Sequence, residues 1–128
     1  MVLVDTSVWI NHLRNNDRHL EKLLFNGSVV CHPHIIGELA CGNMKNRQEI
    51  ISLLQALPQI SLADFEEFLF FIEQNQLHGK GIGFVDIHLL ASAKLGQLPL
   101  WTADKRLQSV SASLNLEYKI KRQQITKR

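Results

Sequence analysis

Four carboxylates in this sequence stand where an acid can do more than solubilise a surface. Asp5 closes the apolar run VLV, and Glu38 lies about one turn into the helical stretch that follows VVCHP. Asp86 opens the helical pattern of GIGFVDIHLLASAKLG, and Asp104 lies two residues past Thr102 at the end of the strand-like LPLWT. In an open α/β sheet, sites form outside the carboxyl ends of the strands. This layout brings all four acids to one edge of such a sheet. Four carboxylates in a shared pocket repel, and without a counter-charge some take up protons. A divalent cation removes that conflict, and hard oxygen donors select Mg²⁺ or Mn²⁺. The chemistry suited to that set is hydrolysis of a phosphodiester by activated water. Each acid also has a plainer reading. Asp5 and Asp104 both precede helices and qualify as N-caps. Glu38 qualifies as a solvated helix residue, and Asp86 as an acid favoured by the positive end of its helix.

The elements that must position these acids alternate along the chain. Val2 to Asp5 reads as a short buried strand. Thr6 and Ser7 then supply capping hydroxyls, ahead of a helical stripe of Trp9, Ile10 and Leu13. Leu20, Leu23 and Leu24 mark a second helix, stopped by Asn26-Gly27. Val29 to His32 is the next strand, and Pro33 takes the first position of the helix that runs to about Gly42. Asn46 with Glu49, and Asp64 with Glu67, resemble capping pairs that open two further helices, the second ending near Gly79. Ile60 to Leu62 reads as a third strand, and Tyr118 with Ile120 alternates like a half-exposed edge strand. Strands that alternate with helices and are uniformly apolar inside argue for a parallel sheet covered on both faces.

Composition sets loose bounds. The chain has 128 residues, 45% hydrophobic and 20% charged, with a net charge of +2. That suits one compact domain over residues 1–128 and forces no polyanionic partner. The last twelve residues, EYKIKRQQITKR, hold Lys119, Lys121, Arg122, Lys127 and Arg128 against Glu117. Such a tail suits either phosphate contact or a solvated terminus. Two cysteines, Cys31 and Cys41, make no disulfide framework and fit a reducing cytoplasm. No signal peptide is visible, and no apolar run approaches the roughly 20 residues of a membrane span.

Taken in order, VLVDTSVWI, GEL, GIGFVDIHLLASA and LWTADKRL resemble the motifs of the PIN-domain nucleases, and among them the VapC-type toxins of toxin–antitoxin pairs. The resemblance runs from about Val2 to Leu116. It implies a three-layer α/β/α sandwich with a mainly parallel sheet, and an Mg²⁺- or Mn²⁺-dependent endoribonuclease. It places the catalytic and metal-binding positions on Asp5, Glu38, Asp86 and Asp104. Thr6, Ser7 and Thr102 fall on the supporting hydroxyl positions. Many relatives carry another acid two residues after the last aspartate. Here that residue is Arg106, which with Lys105 becomes a candidate for RNA phosphate contact. The resemblance further implies a homodimer, an RNA target such as transfer RNA, and a cognate antitoxin that plugs the acidic pocket with a basic side chain.

Other assignments fit less well. A non-catalytic PIN-like module that only binds RNA or protein has no need of four repelling acids. A phosphatase of the haloacid dehalogenase type needs an aspartate where Ser7 stands. A receiver domain needs a phosphoacceptor after the third strand, which Asp64 matches weakly, and a lysine that is not in place. His32, His34, Glu38 and Cys41 hint at zinc, but their spacing matches no common structural zinc pattern. His34 then lines the pocket rim or caps its helix, and His88 is structural or superficial. Trp9 and Trp101 read as core residues. On the helix after Asp64, Phe65, Phe68, Leu69 and Ile72 form a stripe facing the sheet. Phe70 and Leu77 fall on another side, either as part of a broadly buried helix or as an exposed pair that a dimer mate or antitoxin covers.

Overall fold

The fold is described from a computed structural model over residues 1–120. The basic residues Lys121, Arg122, Lys127 and Arg128 therefore lie outside the described residues. Three parallel strands, β1 (Val2–Val4), β2 (Val29–Val30) and β3 (Leu100–Trp101), form a sheet in the order β2-β1-β3. Seven helices among the described residues surround it: α1 (Thr6–Asn15), α2 (Arg18–Phe25), α3 (Pro33–Cys41), α4 (Arg47–Ala56), α5 (Phe65–Asn75), α6 (Phe84–Gly96) and α7 (Lys105–Ser113). Leu3 pairs with Val30 on one side and Leu100 on the other, so β1 is central. All three strands are buried along their length, as expected where helices cover both faces of a parallel sheet. This is the three-layer α/β/α arrangement.

Two expected strands shrink to single bridges. Gln59 pairs with Cys31, and Glu117 with Leu100, both in parallel sense. Each outer segment exchanges only two backbone bonds around one residue of the sheet: Cys31 N–H to Pro58 O and Ile60 N–H to Cys31 O on one edge, Leu100 N–H to Leu116 O and Tyr118 N–H to Leu100 O on the other. Pro58 has no N–H with which to lengthen the first ladder.

Helix α6 is the central support of one layer. Every residue from Ile87 to Ala93 is buried, including His88 and Ser92. A helix buried all round needs no clean amphipathic stripe. Its first turn, carrying Asp86, thereby projects from a fixed body.

Four helix ends share one closure. Gly27 after α2, Gln76 after α5, Gln97 after α6 and Asn115 after α7 all have φ between 51° and 69°. In each, the following N–H bonds back five residues: Ser28 to Leu23, Leu77 to Ile72, Leu98 to Ala93 and Leu116 to Ser111. This is the Schellman closure, and in three of the four a leucine turns inward at its end. Leu77 and Leu116 are thus buried, at 3% and 6% exposure.

That closure corrects the reading of α5. The helix stops at Asn75, so helical phase no longer applies to Leu77, and Phe70 (66% exposed) is left without it on the surface. The inward face is Phe68 and Phe71, while Phe65 and Leu69 are exposed. The Asp64–Glu67 capping box is present in full. Asn46 instead precedes α4 in a left-handed conformation with no side-chain cap. Leu77→Ala should therefore cost about 2–5 kcal/mol. Phe70→Ser should shift stability by no more than about 0.5 kcal/mol. Urea denaturation of both variants checks the assignment, and a strongly destabilised Phe70→Ser chain would refute it.

Candidate active site

Asp5 leaves the carboxyl end of β1 at the point where the chain order reverses about the central strand, the usual place for a site in an open α/β sheet. It occupies the N-cap position of α1 but makes no side-chain cap. Its carboxylate turns instead toward β3. Oδ2 accepts hydrogen bonds from the hydroxyls of Ser7 and Thr102, both at 2.7 Å. Those hydroxyls are themselves held: Ala103 N–H donates to Ser7 Oγ at 2.9 Å, and Asp104 N–H to Thr102 Oγ1 at 3.0 Å. Each hydroxyl has a single proton, and both are given to Asp5. The 3.3 Å approach of Ser7 Oγ to Thr102 Oγ1 is therefore proximity, not a further bond. Asp5 is only 4% exposed, so these two donors carry much of the cost of keeping a charge there. Among the described residues no side-chain hydrogen bond falls on Oδ1.

Thr6 extends the arrangement to the neighbouring layer. Its hydroxyl donates to Glu38 Oε1 at 2.6 Å, fixing an otherwise exposed glutamate on α3. Helix α3 starts where it does because Pro33 takes its first position and His32 Nδ1 accepts the N–H of His34. Of the two readings of His34, pocket rim or helix cap, the second fails, because His32 is the cap. His32 is fully buried, and with Nδ1 accepting, its proton sits on Nε2 and is given to Ser92 Oγ at 3.2 Å. Burial, then the nearby His34 and His88, push its pKa down to about 4. Both of its nitrogens are spent, so His32 is no metal ligand. His88 stacks on Phe68 at 4.1 Å between ring centres and is structural.

Asp86 stands in the first turn of α6, half-buried. Its pKa is pushed up to about 6, first by burial and then by the charges of Asp5, Glu38 and Asp104. The four acids therefore share one field. Asp104 is the N-cap of α7, its Oδ1 accepting Leu107 N–H at 3.0 Å. So the capping reading holds for Asp104, for one oxygen, and fails for Asp5. Asp86 and Asp104 line an open cavity of about 310 Å³ with Gly81, Ile82, Lys105 and Arg106.

Tested against a divalent cation, the donors are of the right kind: hard carboxylate oxygens in excess of any local positive charge, with Asp5 Oδ1 uncommitted. Among the described residues no three His, Cys, Asp or Glu side chains close into a ready-made cage. An open set of this sort suits Mg²⁺, which keeps several waters and accepts substrate oxygens.

Residues 2–113 match the family profile described as PIN domain. The chain belongs to the PIN-domain family. It is 45% identical over 113 residues to proteins named Ribonuclease VapC32 from two strains of Mycobacterium tuberculosis, CDC 1551 / Oshkosh and ATCC 25618 / H37Rv. The aligned stretch covers 88% of this chain and 91% of each relative. The order of the acids along this PIN chain is the order in which β1, α3, α6 and the β3–α7 turn reach the site. One residue of the site drew no notice in the sequence. Gly81 lies directly against Arg106. Its only trace was a glycine amid GKGIG, which also fits any turn.

The raised pKa of Asp86 sets a sign. A carboxyl that binds its proton more tightly when folded stabilises the fold at low pH. That stabilisation is lost as pH rises from the ordinary value of 3.8 through about 6. In chelator, Asp86→Asn should escape this loss and melt higher than the parent chain at about pH 7, with the difference vanishing near pH 4. It should also gain less from millimolar Mg²⁺ or Mn²⁺. Thermal melts of both proteins, with and without metal, decide the matter. A variant that melts lower in chelator at neutral pH would leave Asp86 a simple first-turn acid.

Proposed function

We propose that this chain is a metal-dependent endoribonuclease of the toxin class. The carrying observation is the buried Asp5 carboxylate, held on one oxygen by Ser7 and Thr102 within the field of Glu38, Asp86 and Asp104. The name of the 45% identical relatives, Ribonuclease VapC32, supports the same reading. Asp5, Glu38, Asp86 and Asp104 would hold Mg²⁺, or Mn²⁺ in its place. When bound, the ion supplies Lewis acidity toward a phosphodiester and lowers the pKa of water.

This chain's own residues prepare the site. Ser7 and Thr102 fix the plane of Asp5, and Thr6 fixes Glu38. Asp86 has its proton affinity raised toward neutrality and so gains most from an added cation. Lys105 and Arg106 stand on the cavity rim as candidate contacts for RNA phosphates. A purely binding PIN module would retain no use for a charged aspartate at 4% exposure, whose upkeep takes two dedicated donors.

The partners follow as part of the same proposal. A groove of about 610 Å³ between α1, α3 and α4 runs from Ile10 and Leu13 to Glu38 and suits an amphipathic segment of an antitoxin. Phe65, Phe70 and Phe84, all more than half exposed, support a homodimer. No helix among the described residues is long and apolar enough to cross a membrane. We take the chain as one PIN domain acting in the cytoplasm, where Cys31 and Cys41 stay unpaired.

Purified protein should release discrete fragments from total RNA in Mg²⁺ or Mn²⁺ and none in EDTA. Asp5→Asn should abolish the fragments, and Thr102→Val should slow their release roughly 10–100-fold by freeing the carboxylate to turn. Gel analysis of timed digests reads all three. Cleavage that continues in EDTA, with a parallel Asp5→Asn preparation equally active, would end the proposal.

A further inference from the structure

We infer that Arg106, seated on Gly81, is a binding arm for one backbone phosphate of the RNA, deepening the nuclease reading above and resting on it. Arg106 is the second residue of α7, whose first turn is fixed by the Asp104 cap. Its side chain crosses to the segment before α6, where Nη1 donates to Gly81 O at 3.3 Å. Gly81 has φ +74°, a conformation that other residues rarely adopt. The fit is tight as well. A methyl group on Gly81 would lie 2.5 Å from Arg106 Nη1 and 3.3 Å from its Cζ. A side chain at position 81 would displace the guanidinium from this place.

The seat lies at the edge of the cavity that Asp86 and Asp104 line. An unrestrained arginine beside uncompensated carboxylates would be drawn onto them and would neutralise the site. Here the hydrogen bond goes to a backbone carbonyl instead. The guanidinium has five N–H donors and spends one of them on Gly81. Among the described residues the rest have no partner, and they form a planar fork that matches two oxygens of a phosphate. Lys105, next to it and exposed, has no such fixed partner among the described residues. RNA approaching four carboxylates meets like charge, and a held cation at the rim offsets that repulsion before any metal is bound.

The test uses anisotropy of a 5′-fluorescein-labelled single-stranded RNA of mixed sequence, in EDTA so that nothing is cut, across a NaCl series. Arg106→Gln should weaken binding roughly tenfold at low salt and flatten the log–log salt slope by about 0.7, the loss of one phosphate contact. Arg106→Lys should restore the slope but not the affinity, because it returns a point charge without the fork. Gly81→Ala keeps the arginine but removes its seat and should reproduce most of the loss. The double variant should bind no worse than Arg106→Gln alone, since both act through one contact. Arg106 is exposed, so Arg106→Gln should melt with the parent chain and its binding result stands even if Gly81→Ala misfolds. Parent affinity and slope in Arg106→Gln would overturn the inference, as would losses that add in the double variant. Cleavage in Mg²⁺, run alongside, separates the two readings. A parent chain that loses RNA affinity on Arg106→Gln yet never cuts RNA defeats the nuclease proposal and keeps the phosphate arm. A parent chain that cuts, with KM unchanged in Arg106→Gln, defeats only the arm.

Discussion

A single buried charge organises this molecule. Asp5 lies at the end of the central strand, out of water, and depends on protons from Ser7 and Thr102. Removing either donor leaves a desolvated carboxylate short of a partner, a cost of about 1–3 kcal/mol or more for a charged group. The two donors come from opposite ends of the chain, and each is fixed by a backbone N–H of the β3–α7 turn. So the turn that presents Asp104 is locked by the same network that holds Asp5. The geometry of the acids is a by-product of solving one solvation problem.

The remaining electrostatics follow from what that network omits. It satisfies Asp5 with neutral hydroxyls and brings in no cation. Asp86 therefore feels the negative charges of Asp5, Glu38 and Asp104 on top of its burial, which is the larger cause of its raised pKa. Such a pocket is a poor place to store stability and a good place to receive a divalent ion. The histidines behind it are arranged in the opposite sense. His32 is kept neutral by burial and by the use of both its nitrogens, so it contributes packing and a helix cap but no charge.

Asp5, Asp86 and Asp104 were legible because each stands at a strand end or a helix start, and those junctions carry strong signals such as VLVD and the glycines before Phe84; Glu38, inside α3, has no such junction of its own. Less was legible where closure rather than periodicity decides. Gln76 and Gln97 take the left-handed conformation that glycine normally marks, so the end of α5 was set too late and Leu77 was assigned to the wrong side. The alternation of Tyr118 and Ile120 held only at Tyr118: Ile120 is exposed and pairing stops at one bridge, because sheet edges depend on partners far along the chain. A choice between His32 and His34 as the cap was beyond spacing alone, since it turns on which imidazole has Ser92 across the core to hold its other nitrogen.

The strand order β2-β1-β3 has a consequence in time. The middle strand, β1, is made before both its neighbours, and its partner on one side arrives roughly a hundred residues later, with Leu3 pairing to Leu100. Thr102, which Asp5 requires, follows that strand. A ribosome therefore exposes Asp5 long before it makes the residues that complete the site. Long-range parallel pairing is also slow to form, because the loop must close before contacts reward it. A growing or prematurely ended chain holds its acids apart. The cell that makes this protein meets an assembled site only once Leu100 to Thr102 have been released and have folded against β1.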